Sequence, residues 1–253
     1  MKNIPNFFTL LNLVFGSIAI IFILQPGESI VNFNGEEWKV YLPEKIQWGA
    51  FFIFMAAVVD FLDGFVARLM KADSEMGKQL DSLADVVSFG VAPGMIMYQL
   101  LRLTFAYEPG GLETPFYNLI PALLLPAAAA WRLARFNLDP GQKFGFKGLP
   151  APAAGLFIAS IPLIMLYNQF GIQELLLNKW VLYGIIGMVS YLMVSTIPLM
   201  GLKFTNYQVK ENWPKFLLIA IGLISALILQ WMAVPVLFVL YILLSLLTQN
   251  KTA

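Results

Sequence analysis

The sequence predicts an all-α integral membrane protein: a bundle of about eight transmembrane helices with both termini in the cytoplasm. Three observations carry that expectation. The 253 residues are 59% hydrophobic and only 12% charged, against about 25% charged in a soluble globular protein. The apolar residues fall into runs of roughly 20, the length that crosses a hydrocarbon core of about 30 Å as a helix. Those runs are continuous rather than alternating, which favours helices over the strands of a membrane barrel.

The runs lie at about 8–24, 46–69, 80–104, 116–135, 151–168, 180–200, 215–230 and 233–248, the last two joined by a few residues around Trp231. The first is not read as a secretory signal, because it continues to Leu24 without a small-x-small cleavage site and further apolar segments follow. A cytoplasmic N-terminus puts Lys2, Arg68, Lys71, Lys78, Arg132, Arg135, Lys143, Lys147, Lys203, Lys210, Lys215 and Lys251 on the cytoplasmic side. Lys39, Lys45, Arg102 and Lys179 remain outside. Twelve against four is the asymmetry that sets orientation. The acidic loops near 25–45 and 105–115 read as solvated connections. With no internal repeat or low-complexity linker, residues 1–253 form one membrane domain. Its catalytic part covers about 1–155, and additional transmembrane helices occupy about 156–253.

Composition also restricts the chemistry. A net charge of +1 gives no basis for a nucleic-acid partner. The sequence has no Cys and no His, which removes disulfides, thiolate metal sites and the usual neutral-pH base. Acid–base or metal chemistry falls to carboxylates, Lys or Tyr.

Carboxylates stand where lipid should forbid them. Asp60, Asp63, Gly64, Ala67 and Arg68 are spaced i, i+3, i+4, i+7 and i+8, one stripe of a helix; in the next run Gly77, Asp81 and Asp85 recur every four residues. The two helices are joined by a short turn, about 69–76, so antiparallel pairing sets the stripes face to face. Acids inside a membrane are costly and mark function by default. Four together repel unless cations compensate. Arg68 supplies one charge, and a divalent metal supplies the rest economically. All-oxygen ligation suits Mg²⁺ first, with Mn²⁺ or Ca²⁺ as alternatives, and two such ions clamp the attacking and leaving oxygens of a phosphoryl displacement. Gly64 and Gly77 allow a ligand close to the backbone, or close helix packing. Two readings compete: interfacial ion pairs with Arg68, Lys71 and Lys78, and an ion-coupled transporter, whose acids normally lie nearer the bilayer midplane.

From Asp60 to Asp85 the chain reads D-F-L-D-G-F-V-A-R, eight residues, then G-K-Q-L-D-S-L-A-D. Without a gap this resembles the signature of the CDP-alcohol phosphatidyltransferase family, D-x2-D-G-x2-A-R-x8-G-x3-D-x3-D. The resemblance implies a metal-dependent displacement in which an alcohol attacks the phosphorus beside the diacylglycerol of a CDP-linked lipid and CMP leaves. It also implies that Asp60, Asp63, Asp81 and Asp85 bind a pair of Mg²⁺ or Mn²⁺ ions. Gly64, Ala67, Arg68 and Gly77 would line the CDP pocket, with Asp85 the general base on the acceptor hydroxyl.

Ile4-Pro5-Asn6 with Thr9 and Asn12, the stretch Ser82 to Pro93, Arg132 to Asn137 and Phe146 to Ala154 resemble the bacterial, membrane-spanning phosphatidylserine synthase branch. That branch implies CDP-diacylglycerol and L-serine as substrates, phosphatidylserine and CMP as products, a homodimer, and an active site on the cytoplasmic face of the inner (plasma) membrane. Glycerol 3-phosphate or an inositol phosphate stays open as the acceptor. Outside the signature, Arg132 and Arg135 either anchor a span or fork onto a serine carboxylate or lipid phosphate. Lys143 and Lys147 either snorkel to anionic lipid or contact substrate. Thr9 and Asn12 either start the first helix or touch the nucleotide.

Overall fold

The computed structural model describes residues 4–25, 27–33, 36–42, 45–70, 74–107, 114–139, 145–168, 170–201 and 209–248. Helix α1 (Ile4–Leu24) leads through a hairpin, β1 (Gly27–Phe33) and β2 (Glu36–Leu42), into α2 (Ile46–Met70). Then follow α3 (Glu75–Asp85), a wide π-helical turn (Val86–Val91), α4 (Ala92–Ala106) and α5 (Leu124–Leu138). After β3 (Gly145–Lys147) come α6 (Ala151–Tyr167), α7 (Gln173–Leu176), α8 (Lys179–Val194), β4 (Pro198–Met200), α9 (Val209–Leu229) and α10 (Ala233–Thr248).

Among the described residues, four helical stretches are long and apolar enough to cross a membrane: Pro5–Leu24, Ile46–Met70, Glu75–Ala106 and Asn212–Thr248. The helices Ala151–Tyr167 and Lys179–Val194 are apolar but shorter. The last stretch takes in both of the final expected spans. It bends at a 3₁₀ turn, Gln230–Met232, where Gln230 has a φ of +49°, and α9 and α10 pack on each other.

The expected boundaries need correction in three places. The 116–135 run opens as two 3₁₀ turns, Phe116–Asn118 and Ile120–Leu123, and becomes α-helix only at Leu124. Pro121 and Pro126, each lacking an N–H, are compatible with that late start. The 180–200 run stops at Val194, and Pro198 begins a strand that pairs antiparallel with Gly145–Lys147. Part of the 25–45 loop is a two-stranded antiparallel ladder with Gly27 opposite Leu42. Alternating residues around an Asn34-Gly35 dipeptide are the local signal for such a hairpin.

The core packs α1, α2, α4, α5, α6 and α8 around Ile53, Phe89, Ile96, Met97, Leu125, Ile158 and Ile186. Close approach sets how α1 meets the π turn. A Cβ on Gly16 would stand 2.2 Å from Ser88 Oγ and 2.8 Å from Ser88 Cα. At the far end of α1, buried Gln99 of α4 donates from Nε2 to Ile23 O at 2.9 Å, satisfying one of the carbonyls a helix end leaves open. The two contacts fix how α1 lies along the α3–α4 segment, and so which α1 side chains face the acids.

Candidate metal and phosphoryl-transfer site

The acids of α2 and α3 meet. Asp60, Asp81 and Asp85 each offer a carboxylate oxygen, all within 4.8 Å of one another. α3 starts where Ser74 caps it, its Oγ accepting from Gly77 N at 2.9 Å. From there Asp81 and Asp85 sit one turn apart on the face turned to α2.

Asp63 stands slightly apart from that trio. It is buried, and Thr9 of α1 donates a hydrogen bond from Oγ1 to its Oδ2. One turn further along α1, Asn12 is fully buried and donates from Nδ2 to Asp85 Oδ1 at 3.3 Å. Ser88 Oγ donates in turn to Asn12 O at 3.0 Å. The N-terminal part of α1 therefore supplies a polar edge along both acidic stripes, and Asn6 reaches the start of α3, where its Oδ1 would lie 3.3 Å from a Cβ on Gly77.

The donor set fits a hard divalent cation. Three clustered carboxylates present only oxygen, as Mg²⁺, Mn²⁺ and Ca²⁺ prefer. Beside them Asn12 Oδ1 is a buried acceptor with no hydrogen-bond partner among the described residues, an arrangement that is costly unless something else supplies a positive partner. Of the basic residues weighed as an ion-pair alternative, Lys78 lies 2.8 Å from Glu75, Arg68 is exposed, and Lys71 lies outside the described residues.

The remaining expected residues fall into three groups. Gly64 faces open space, with nothing within 4 Å of an added Cβ, whereas a Cβ on Gly77 would meet Ser74 Oγ at 3.0 Å. Ala67 is half-buried and Arg68 exposed on the same helix. Arg132 is 5% exposed, sits over the Phe136 ring at 5.1 Å, and lies near enough to Asp85 for their charges to interact.

Arg135, read as either a span anchor or a substrate contact, lies among backbone carbonyls. Its guanidinium donates to backbone carbonyls, from Nη1 to Val194 O at 2.6 Å and from Nη2 to Ser195 O at 2.7 Å and Lys147 O at 3.0 Å. Lys147 pairs with Asp139 at 2.6 Å, and Lys143 lies outside the described residues. Two contacts had no forecast from the sequence: Asn137 Nδ2 donating to Ser82 Oγ at 2.8 Å, and the support that Ser88 gives Asn12. Ser82 follows Asp81 directly, and Ser88 lies one turn beyond Asp85, so proximity to the acids was the available signal.

Residues 2–198 match the CDP-alcohol phosphatidyltransferase family. The chain belongs to that family. A CDP-diacylglycerol–serine O-phosphatidyltransferase of Bacillus subtilis is 30% identical over 184 residues, 71% of this chain and 89% of the relative. One of Helicobacter pylori strain J99 is 33% identical over 193 residues, 75% of this chain and 74% of the relative. One of Mycobacterium leprae is 38% identical over 154 residues, which are 58% of this chain but only 47% of that longer protein.

Proposed function

We propose that this family member transfers the phosphatidyl group of CDP-diacylglycerol to the hydroxyl of L-serine, giving phosphatidylserine and CMP. The observation that carries the reading is the meeting of Asp60, Asp81 and Asp85 within 4.8 Å, in a chain whose relatives bear the serine O-phosphatidyltransferase name. The serine acceptor rests on those names and on the modest number of basic residues near the site, since an acceptor carrying its own phosphate calls for more.

Asp60, Asp81 and Asp85 would hold divalent metal, with Asp63 completing the set. Bound there, Mg²⁺ or Mn²⁺ supplies charge neutralisation for the pyrophosphate and for the oxygens entering and leaving phosphorus. The chain's own groups do the rest. Asp85, oriented by Asn12, takes the proton of the serine hydroxyl. That oxygen forms the new bond to the lipid-side phosphorus as the bond to the CMP oxygen breaks. Open Gly64 admits the nucleotide close to α2, with Ala67, Arg68, Gly77, Thr9 and Asn12 around it. Arg132, held near Asp85, receives the serine carboxylate or the lipid phosphate. We place the site at the cytoplasmic face of the inner membrane, in a homodimer whose chains cross the bilayer about eight times with both termini inside. Lysine and arginine asymmetry and the family resemblance support that placement.

The test is release of CMP from CDP-diacylglycerol by purified protein, with serine, glycerol 3-phosphate and an inositol phosphate as competing acceptors. Metal-dependent release with serine is expected, reduced by about 10²–10⁴-fold in Asp85→Asn. Full activity in that variant would refute the base assignment, and a preference for a phosphorylated acceptor would refute serine.

A further inference from the structure

The last turn of α5 is tied to three segments that are distant from it in sequence. Beyond its bonds to Val194 O, Ser195 O and Lys147 O, Arg135 Nη2 lies 3.4 Å from Met193 O. Of these carbonyls, those of Met193, Val194 and Ser195 are the open end of α8, where a helix carries partial negative charge. The chain after Lys147 completes the same cap: Gly148 N donates to Ile197 O and Leu149 N to Leu192 O, both at 2.8 Å. Gly148 has a φ of +83°, and a Cβ there would stand 2.6 Å from Ser195 O and 2.7 Å from Met193 O. Only glycine lets the carbonyls close around the guanidinium.

This cap connects to the acids on one side and to the C-terminal helix on the other. Two residues past Arg135, Asn137 binds Ser82, the neighbour of Asp81. Beyond β4, Tyr241 Oη donates to Met200 O at 3.0 Å, and Met200 N donates to Ser245 Oγ at 3.1 Å. Both come from α10, outside the stretch that matches the family. Arg132, buried close enough to Asp85 for their charges to interact, is one helical turn before Arg135.

We propose that Arg135 is a positioning residue: by gathering the α8 carbonyls and the Lys147–Leu149 backbone it sets the last turn of α5, and with it Arg132, against the acceptor side of the carboxylate site. Arg135 touches no substrate. The planar fork matters, since one guanidinium reaches carbonyls of two segments at once and an ammonium does not. Helix α10 acts on the site through Met200, so the C-terminal helices belong to the acceptor half of the enzyme. The inference rests on the phosphatidyl-transfer reading for its kinetic readout.

The test compares Arg135→Gln, Arg135→Lys, Gly148→Ala and Ser245→Ala in the full-length protein. CMP release is measured against L-serine and Mn²⁺ concentration, and backbone amide exchange is measured over residues 145–149 and 192–200. Arg135→Gln, Arg135→Lys and Gly148→Ala are expected to raise the KM for serine at least tenfold, with the Mn²⁺ requirement unchanged and exchange faster in both segments. Ser245→Ala shifts both in the same direction by a smaller factor. A wild-type serine KM in Arg135→Lys overturns the proposal. So does a raised KM in Arg135→Gln with Gly148→Ala unaffected, because that pattern belongs to a residue that contacts serine. Unchanged exchange in all four variants overturns it as well. If the wild-type protein itself releases no CMP with serine, the functional reading fails, while amide exchange still judges the cap. Should the Arg135 variants fail to fold, Gly148→Ala and Ser245→Ala decide.

Discussion

Gly16→Ala places one methyl group where α1 crosses the π turn, and the structure gives its size. The new Cβ would lie 2.8 Å from Ser88 Cα; carbon–carbon contact begins near 3.5 Å, so the two backbones have to part by roughly 0.7 Å. Rotating Ser88 Oγ away from its 2.2 Å clash relieves part of the overlap, but it gives up the bond to Asn12 O. Asn12 then moves with α1, and its 3.3 Å bond to Asp85 stretches past the roughly 3.5 Å at which such a contact ceases to be one. Overpacking of this kind costs about 1–3 kcal/mol of stability. The larger effect is catalytic, since a shift of the order of 1 Å at a reacting group costs about 10²-fold in rate. Thermal unfolding in detergent and kcat for CMP release measure the two effects separately. A Gly16→Ala protein with wild-type kcat would show that the α1–Ser88 contact does not set the position of Asp85.

Gly64→Ala is the converse case. Nothing lies within 4 Å of the added Cβ, and alanine in place of helical glycine favours the helix by about 0.5–1 kcal/mol; the variant is expected to unfold at or above the wild-type temperature while its KM for CDP-diacylglycerol rises. An unchanged KM would remove Gly64 from the nucleotide pocket. Thr9→Val keeps the shape of the side chain but deprives buried Asp63 of its donor, at a cost of about 1.5–3 kcal/mol, and a Mn²⁺ titration of activity should shift to higher concentration. An unshifted titration would separate Asp63 from the metal site. Chelation should abolish CMP release, and Mg²⁺ or Mn²⁺ should restore it. Metal at 100 times its Kd should also stabilise the fold by about 2.7 kcal/mol, an increment that Asp81→Asn loses; a metal-independent melting temperature would count against ligation by these acids.

The sequence made the meeting of the α2 and α3 acids legible because helical spacing is local arithmetic, although α3 packs chiefly on α1 and not, as expected, directly on α2. Acids at i, i+3 and i, i+4 on two helices joined by a short turn have few other places to go, and Asp60, Asp81 and Asp85 converge. Thr9 and Asn12 were recognisable as site residues, but their partners were not. Which carboxylate each one meets depends on how α1 is set along α3, and that follows from Gly16 against Ser88 and Gln99 against Ile23 O, contacts between residues more than 70 positions apart. Arg135 illustrates the same limit. Its spacing to Arg132 suggested a matched pair, yet the arrival of the α8 carbonyls beside one arginine and of Asp85 near the other divides their roles. The β1–β2 pairing had a local signal in Asn34-Gly35, but the acidic residues of the 25–45 segment read as a solvated connection.

The wide turn at Val86–Val91, in which Ala92 N donates five residues back to Val87 O, takes up one more residue than an ordinary helical turn. Downstream of it every side chain is rotated by about 100° relative to an unbroken helix. The extra residue thus uncouples two demands on a single long helical stretch: upstream it shows charge to its neighbour, and downstream it turns Ile96, Met97 and Leu100 into the apolar interior. Removing one residue from this turn would swing the apolar half out of register with the acidic half. A deletion there is therefore expected to lower both the melting temperature and CMP release.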